Sequence, residues 1–101
     1  VSTPIGTKIQ APADGVAVSA GVKGAYGNAL VIDHGYGVVT RYAHLSAFAV
    51  KPGQRVRRGD VIAYVGQTGR STAPHLHYEV WVKDQARNPI EFILDEYRSF
   101  G

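Results

Sequence analysis

Glycine and proline divide this chain into pieces too short for much other than β-strands. Twelve glycines and five prolines separate short runs rich in Val, Ile, Tyr and Ala, and such runs at close spacing are the signature of an all-β domain. No stretch sustains the 3.6-residue apolar period of a long amphipathic helix. Candidate strands are Lys8 to Ala11, Gly15 to Ala20, Ala29 to His34, Val38 to Ala43, Val61 to Val65 and His75 to Val82. The phrase Asp33-His34-Gly35-Tyr36-Gly37-Val38 sets two glycines between two β-type runs, which predicts an antiparallel hairpin. Between Val50 and Ile62, turn residues bracket a short extended piece that leads into the buried strand Val61 to Val65. One short helix is expected, around Pro89 to Tyr97, with Asn88 as its N-cap.

A chain of 101 residues has room for one core and little else, so a single domain over 1–101 is expected. Without cysteine it can form neither a disulfide framework nor a thiolate metal cluster, and any metal must rest on imidazole and carboxylate. The net charge of +3 is scattered apart from Arg55, Arg57 and Arg58 and forms no stripe with interleaved aromatics, which argues against nucleic acid as a partner. No apolar stretch approaches the roughly 20 residues that cross a bilayer. Residue 1 is Val rather than Met, so a processed or excised chain is expected.

Chemistry can be sought among the four histidines. In His75-Leu76-His77 the two imidazoles share one face of a strand, while Leu76, Tyr78 and Val80 share the apolar face that should meet the core. Two imidazoles beside the glycine-containing loop Gly66 to Pro74 can bind one metal, or divide the work of ligand and proton carrier. They can equally be exposed strand residues. A third histidine lies in Tyr42-Ala43-His44-Leu45-Ser46, where alternation puts Thr40, Tyr42 and His44 on one side. His34, at the hairpin turn, is read as serving the backbone. Glu79 shares the face of His75 and His77; it is read as a solvated surface carboxylate, with orientation of an imidazole as the alternative.

Taken together, Ala11 to Val16, Gly27-Asn28, Val31 to Gly35, Tyr42 to Ser46, Val50 to Gln54 and Gly66 to Glu79 resemble the lysostaphin/LytM-type metallopeptidases over nearly the whole chain. Tyr42 to Ser46 and Thr72-Ala73-Pro74-His75-Leu76-His77-Tyr78-Glu79 are the most specific blocks, and Ala73 stands where that family often has glycine. The resemblance implies a compact, mostly antiparallel, sandwich-like β-fold of the duplicated hybrid motif kind. It implies Zn2+ held by His77 and by a histidine and an aspartate of an early His-x-x-x-Asp motif, with His44 and His75 as catalytic residues near the metal-bound water and the developing oxyanion. The substrate it implies is a peptide bond in the cross-bridges or stem peptides of peptidoglycan, in an extracytoplasmic setting.

The early motif is absent from this sequence. In relatives, the text following the ligand aspartate reads like Val1 to Thr7, so the chain is expected to begin just beyond that aspartate and to be incompetent alone. Truncation accounts for this better than degeneration, because His44, His75 and His77 all remain. Loops Gly21 to Asn28 and Gln67 to Pro74 are expected to wall a groove, with Tyr26, Asn28 and Arg70 as substrate contacts. Two rivals stand beside the enzyme. A LytM-type module without zinc could bind cell wall or activate another hydrolase. The phrase from Val50 to Val65 also resembles biotinyl and lipoyl carriers, but Lys8, Lys23, Lys51 and Lys83 lack the sequence setting of a modified lysine.

Overall fold

The computed structural model describes residues 4–66 and 77–87, and within them every strand pairing is antiparallel. Nine strands appear in chain order: β1 (Lys8–Gln10), β2 (Gly15–Val22), β3 (Asn28–Asp33), β4 (Val38–Ala43), β5 (Leu45–Phe48), β6 (Arg55–Val56), β7 (Val61–Val65), β8 (His77–Val82) and β9 (Gln85–Arg87). They form a six-stranded sheet in the order β6-β2-β3-β4-β8-β9 and a three-stranded sheet in the order β1-β7-β5. The all-β expectation holds. The expected helix at Pro89 to Tyr97 lies outside the described residues.

The predicted hairpin is β3 and β4, in register from Leu30 opposite Tyr42 to Asp33 opposite Val39. Its turn is set by local chemistry: Asp33 Oδ1 accepts the Gly35 N–H at 2.8 Å, and Gly35, Tyr36 and Gly37 all take positive φ. Strands β5 and β9 were not expected. Leu45–Phe48 alternates poorly, with a bulge in its pairing to β7, and Gln85–Arg87 is exposed throughout, so neither carries a period-2 apolar signal.

The core lies where the two sheets meet. From the larger sheet come Ala17, Leu30, Ile32 and Tyr42, and from the smaller Ile9, Leu45, Ala63 and Val65, all buried and in one cluster. On β4, alternation sends Thr40 and Tyr42 inward, at 3% and 2% exposure, and leaves Val39, Arg41 and Ala43 for the opposite face. On β8, Val80 is buried and Tyr78 packs against the core, as the apolar set of that strand predicts. Tyr42 and Tyr78 are directly paired, with ring centroids 5.2 Å apart and planes inclined by 29°.

One polar chain runs through this layer and satisfies each of its members. His34 Nδ1 lies 2.9 Å from the Asp14 carbonyl oxygen, which can only accept, so this nitrogen carries the proton. His34 Nε2 lies 2.7 Å from Thr40 Oγ1, a hydroxyl that can donate to or accept from the ring. Thr40 Oγ1 in turn accepts the Tyr42 hydroxyl at 2.9 Å. His34 thus pins the turn before β2 to the hairpin, in keeping with its backbone role.

Burial holds the Tyr42 phenol above the ordinary tyrosine range, aided by Tyr78 and opposed by the bond to Thr40. An unfolded tyrosine ionises near 10 and the folded one only higher, so this contribution to stability is complete below pH 10 and is lost as pH rises beyond it. Tyr42→Phe is expected to cost about 1 kcal/mol at neutral pH and to flatten the alkaline decline. Denaturation midpoints of both proteins across that range check this. Gly66 faces the Leu45–Ser46 backbone so closely that a Cβ would sit 2.7 Å from Leu45 C and 2.8 Å from Ser46 Cα. Gly66→Ala is therefore expected to destabilise by about 1 to 3 kcal/mol, read as a fall of roughly 4–8 °C in thermal midpoint per kcal/mol.

Candidate functional site

The chain leaves the larger sheet at Ala43, the last residue of β4, and enters the smaller one at Leu45, the first residue of β5. His44 is the single residue between them, with φ of 58° and only 8% exposure. This left-handed backbone ends the reach of the alternation argument. Thr40 and Tyr42 lie in the core and bond each other, while His44 stands where the β4 pleat stops, so alternation does not assign its side. A β-period cannot be carried through a residue of positive φ.

The loop between β2 and β3 clamps this crossing from both flanks. The Tyr26 carbonyl accepts the His44 N–H at 2.8 Å, and the Asn28 side-chain amide donates to the Leu45 carbonyl at 3.0 Å. The loop itself is shorter than the sequence suggested, because β2 extends to Val22 and β3 begins at Asn28. A one-turn 3₁₀ helix, Gly24–Tyr26, fills it, closed by Lys23 N–H to the Gly27 carbonyl and Gly27 N–H to the Gly24 carbonyl. Of the proposed substrate contacts, Asn28 spends an amide donor on Leu45, and Tyr26 joins His44 to Glu79. Arg70 lies outside the described residues.

His77 opens β8 directly opposite Ala43. Antiparallel pairing thus brings residues 44 and 77, which are 33 positions apart in sequence, to neighbouring backbone positions at the same end of the sheet, with opposed Cα atoms about 5 Å apart. His75 and the loop residues 67–74 lie outside the described residues. Among the described residues no group of three or more His, Asp or Glu side chains could hold a metal ion.

Further along the same strands the structure assembles a cluster that sequence reasoning missed. Arg41 of β4 pairs with Glu79 of β8, at 3.8 Å between Nη1 and Oε1. Glu79 is not the solvated carboxylate expected of it: Oε1 accepts the Trp81 indole N–H at 3.0 Å and Oε2 accepts the Tyr26 hydroxyl at 3.3 Å. The Arg41 guanidinium carbon stands 5.4 Å from the Tyr26 ring centroid and 5.7 Å from that of Trp81. Arg41 is one cation among eleven in the sequence, and only the register, by placing it opposite Glu79, distinguishes it.

Comparison with known proteins bears directly on this site. Residues 1–89 match Peptidase family M23. The chain is 54% identical over 93 residues to the DD-carboxypeptidase/endopeptidase Mpg of Neisseria meningitidis serogroup B, a match that covers 92% of this chain and 21% of that protein. It is 47% identical over 88 residues to the peptidoglycan DD-endopeptidase ShyA of Vibrio cholerae, covering 87% of this chain and 20% of the relative. It therefore spans about a fifth of the length of these curated relatives. The catalytic domain of the antimicrobial peptidase lysostaphin from Staphylococcus simulans superposes with a TM-score of 0.85 at 36% identity, over 90% of this chain and 73% of that one. No helix of the described residues is long and apolar enough to cross a membrane.

The strain at His44 can be measured. His44→Ala and His44→Gly remove the same imidazole, but only glycine adopts a positive φ without steric cost. The Gly variant is expected to be the more stable of the two by about 1 kcal/mol, as read from denaturant midpoints at constant m-value. Equal stability would place the left-handed turn elsewhere.

Proposed function

This chain belongs to peptidase family M23, and we propose that it forms the catalytic floor of a zinc DD-endopeptidase that cleaves peptide bonds of peptidoglycan in an extracytoplasmic setting. The observation that carries this reading is the placement of His44, a buried histidine held in a left-handed backbone conformation, beside the strand position of His77. Names of the relatives support the substrate: DD-carboxypeptidase/endopeptidase and peptidoglycan DD-endopeptidase.

His77 is the zinc ligand in this proposal. Its imidazole and the absence of cysteine suit a nitrogen and oxygen donor set of the catalytic kind, three protein ligands with one position left open. Zinc in such a site supplies a Lewis acid and lowers the pKa of bound water toward about 7. The protein residues do the remaining work. His44, a residue only 8% exposed, donates to the oxyanion that develops on the scissile carbonyl or takes the proton released in attack, and His75 performs the complementary task. The clamp of Tyr26 and Asn28 removes freedom from the His44 backbone before substrate arrives, so no ordering is required at the moment of reaction.

In the full-length protein, His44→Gly is expected to reduce hydrolysis of purified peptidoglycan by about a hundredfold or more while zinc content is unchanged. His77→Ala is expected to lose metal and activity together, and a chelator should reproduce its effect on the parent protein. A His44→Gly protein of near-parental activity would end the assignment. Of the three zinc ligands that the resemblance implies, the present sequence holds only His77, so the 101-residue chain is expected to bind zinc weakly. A calorimetric titration tests this, and a tight one-to-one site would show that other ligands are at work.

A further inference from the structure

The Arg41 cluster lies on the face of the larger sheet turned away from the core, two residues along β4 from Ala43 and two along β8 from His77, about 7 Å at the rise of a strand. Arg41 and Glu79 are both partly open to solvent, with 34% and 22% of their side-chain surface exposed. Their separation of 3.8 Å exceeds hydrogen-bond length. Among the described residues the guanidinium has no hydrogen bond: its contacts are the one loose ion pair and the two aromatic rings. Glu79 is different, since each of its oxygens already accepts from a neutral donor.

An exposed ion pair of this length adds little to stability, which leaves the construction around it unexplained. Two aromatic residues from separate elements, one in the β2–β3 loop and one on β8, flank the guanidinium and hold the carboxylate behind it. The result is a planar cation with restricted rotamers and unspent N–H donors, facing outward. Such a fork matches a carboxylate in geometry and charge, and its advance positioning lowers the entropy cost of capture. Tyr26 ties this fork to the catalytic end, because its hydroxyl bonds Glu79 while its carbonyl holds the His44 N–H.

We propose that Arg41 is a specificity-determining residue that takes a free carboxylate of the substrate peptide, within about two residues of the bond that is cut, and that Tyr26, Glu79 and Trp81 position it. The proposal rests on the endopeptidase reading for the location of the cut, but the carboxylate preference can be measured without turnover. Trp81 is the sole tryptophan of the chain and a member of the cluster, so its fluorescence reports on this site alone.

The probe is a pair of N-acetylated tetra-D-alanine peptides, one with a free C-terminal carboxylate and one with a C-terminal carboxamide, titrated into the 101-residue chain. The free acid is expected to perturb Trp81 emission with an affinity at least about tenfold above that of the amide, as loss of a charged hydrogen-bonded pair implies. Arg41→Gln should abolish the preference and Arg41→Lys should keep part of it. Equal response to the two peptides, no response to either, or a preference that survives Arg41→Gln overturns the proposal. Because the acid and amide are compared on the unaltered chain, the carboxylate preference itself is read independently of how the variants fold. Hydrolysis assays fail or succeed independently, so a failure of the endopeptidase reading is told apart from a failure of this one.

Discussion

The architecture turns on one backbone torsion. Two sheets that share a core must be joined by segments that cross from one to the other, and here His44 makes a crossing in a single residue by adopting a φ of 58°. For an L-residue with a Cβ this conformation costs roughly 1 to 2 kcal/mol. The surroundings offset it from both sides. Ala43 and Leu45 are fully buried, and the polar groups of the crossing are taken by Tyr26 and Asn28. The β2–β3 loop is accordingly a brace for the junction.

The two faces of β4 then divide the labour. Inward, Thr40 and Tyr42 join His34 in a chain of hydrogen bonds that ends on the Asp14 carbonyl. A satisfied network that runs from an exposed turn to the buried Thr40–Tyr42 bond favours one arrangement of strands, since a slip strands a donor at its buried end. Outward, Arg41 stands over the open face and Ala43 pairs with His77. The rigidity that the inner set gives the sheet is what allows the outer set to hold a geometry.

Most of the fold was legible because it follows from period-2 patterning and turn chemistry. The β3–β4 hairpin was visible in Gly35 and Gly37, and Val38–Ala43 and Val61–Val65 were placed to the residue. The division of β8 into Tyr78 and Val80 inward and Glu79 outward was equally readable, because nothing interrupts its pleat. What the sequence concealed was non-local. That His44 leaves the alternation cannot be seen in Tyr42-Ala43-His44-Leu45-Ser46, where every residue tolerates a strand. Strand β9 is exposed at all three positions and exists only as the return arm of the Lys83-Asp84 turn. The cluster at Arg41 depends on a pairing between residues 38 positions apart and on a ring from a third element, neither of which any local pattern encodes.

Comparison among the strained positions gives the strain at His44 its meaning. Four non-glycine residues of the described structure have positive φ: Tyr36, His44, Lys83 and Asp84. Tyr36 is 96% exposed in the β3–β4 turn, and Lys83 and Asp84 form the exposed two-residue turn between β8 and β9, a geometry that demands positive φ and in which small deviations cost little. His44 is the only buried member. Glycine would make its crossing without steric cost and asparagine at a reduced one, so the demands of the fold do not select an imidazole there. Backbone strain at a buried residue where glycine would cost less supports the catalytic role proposed for His44.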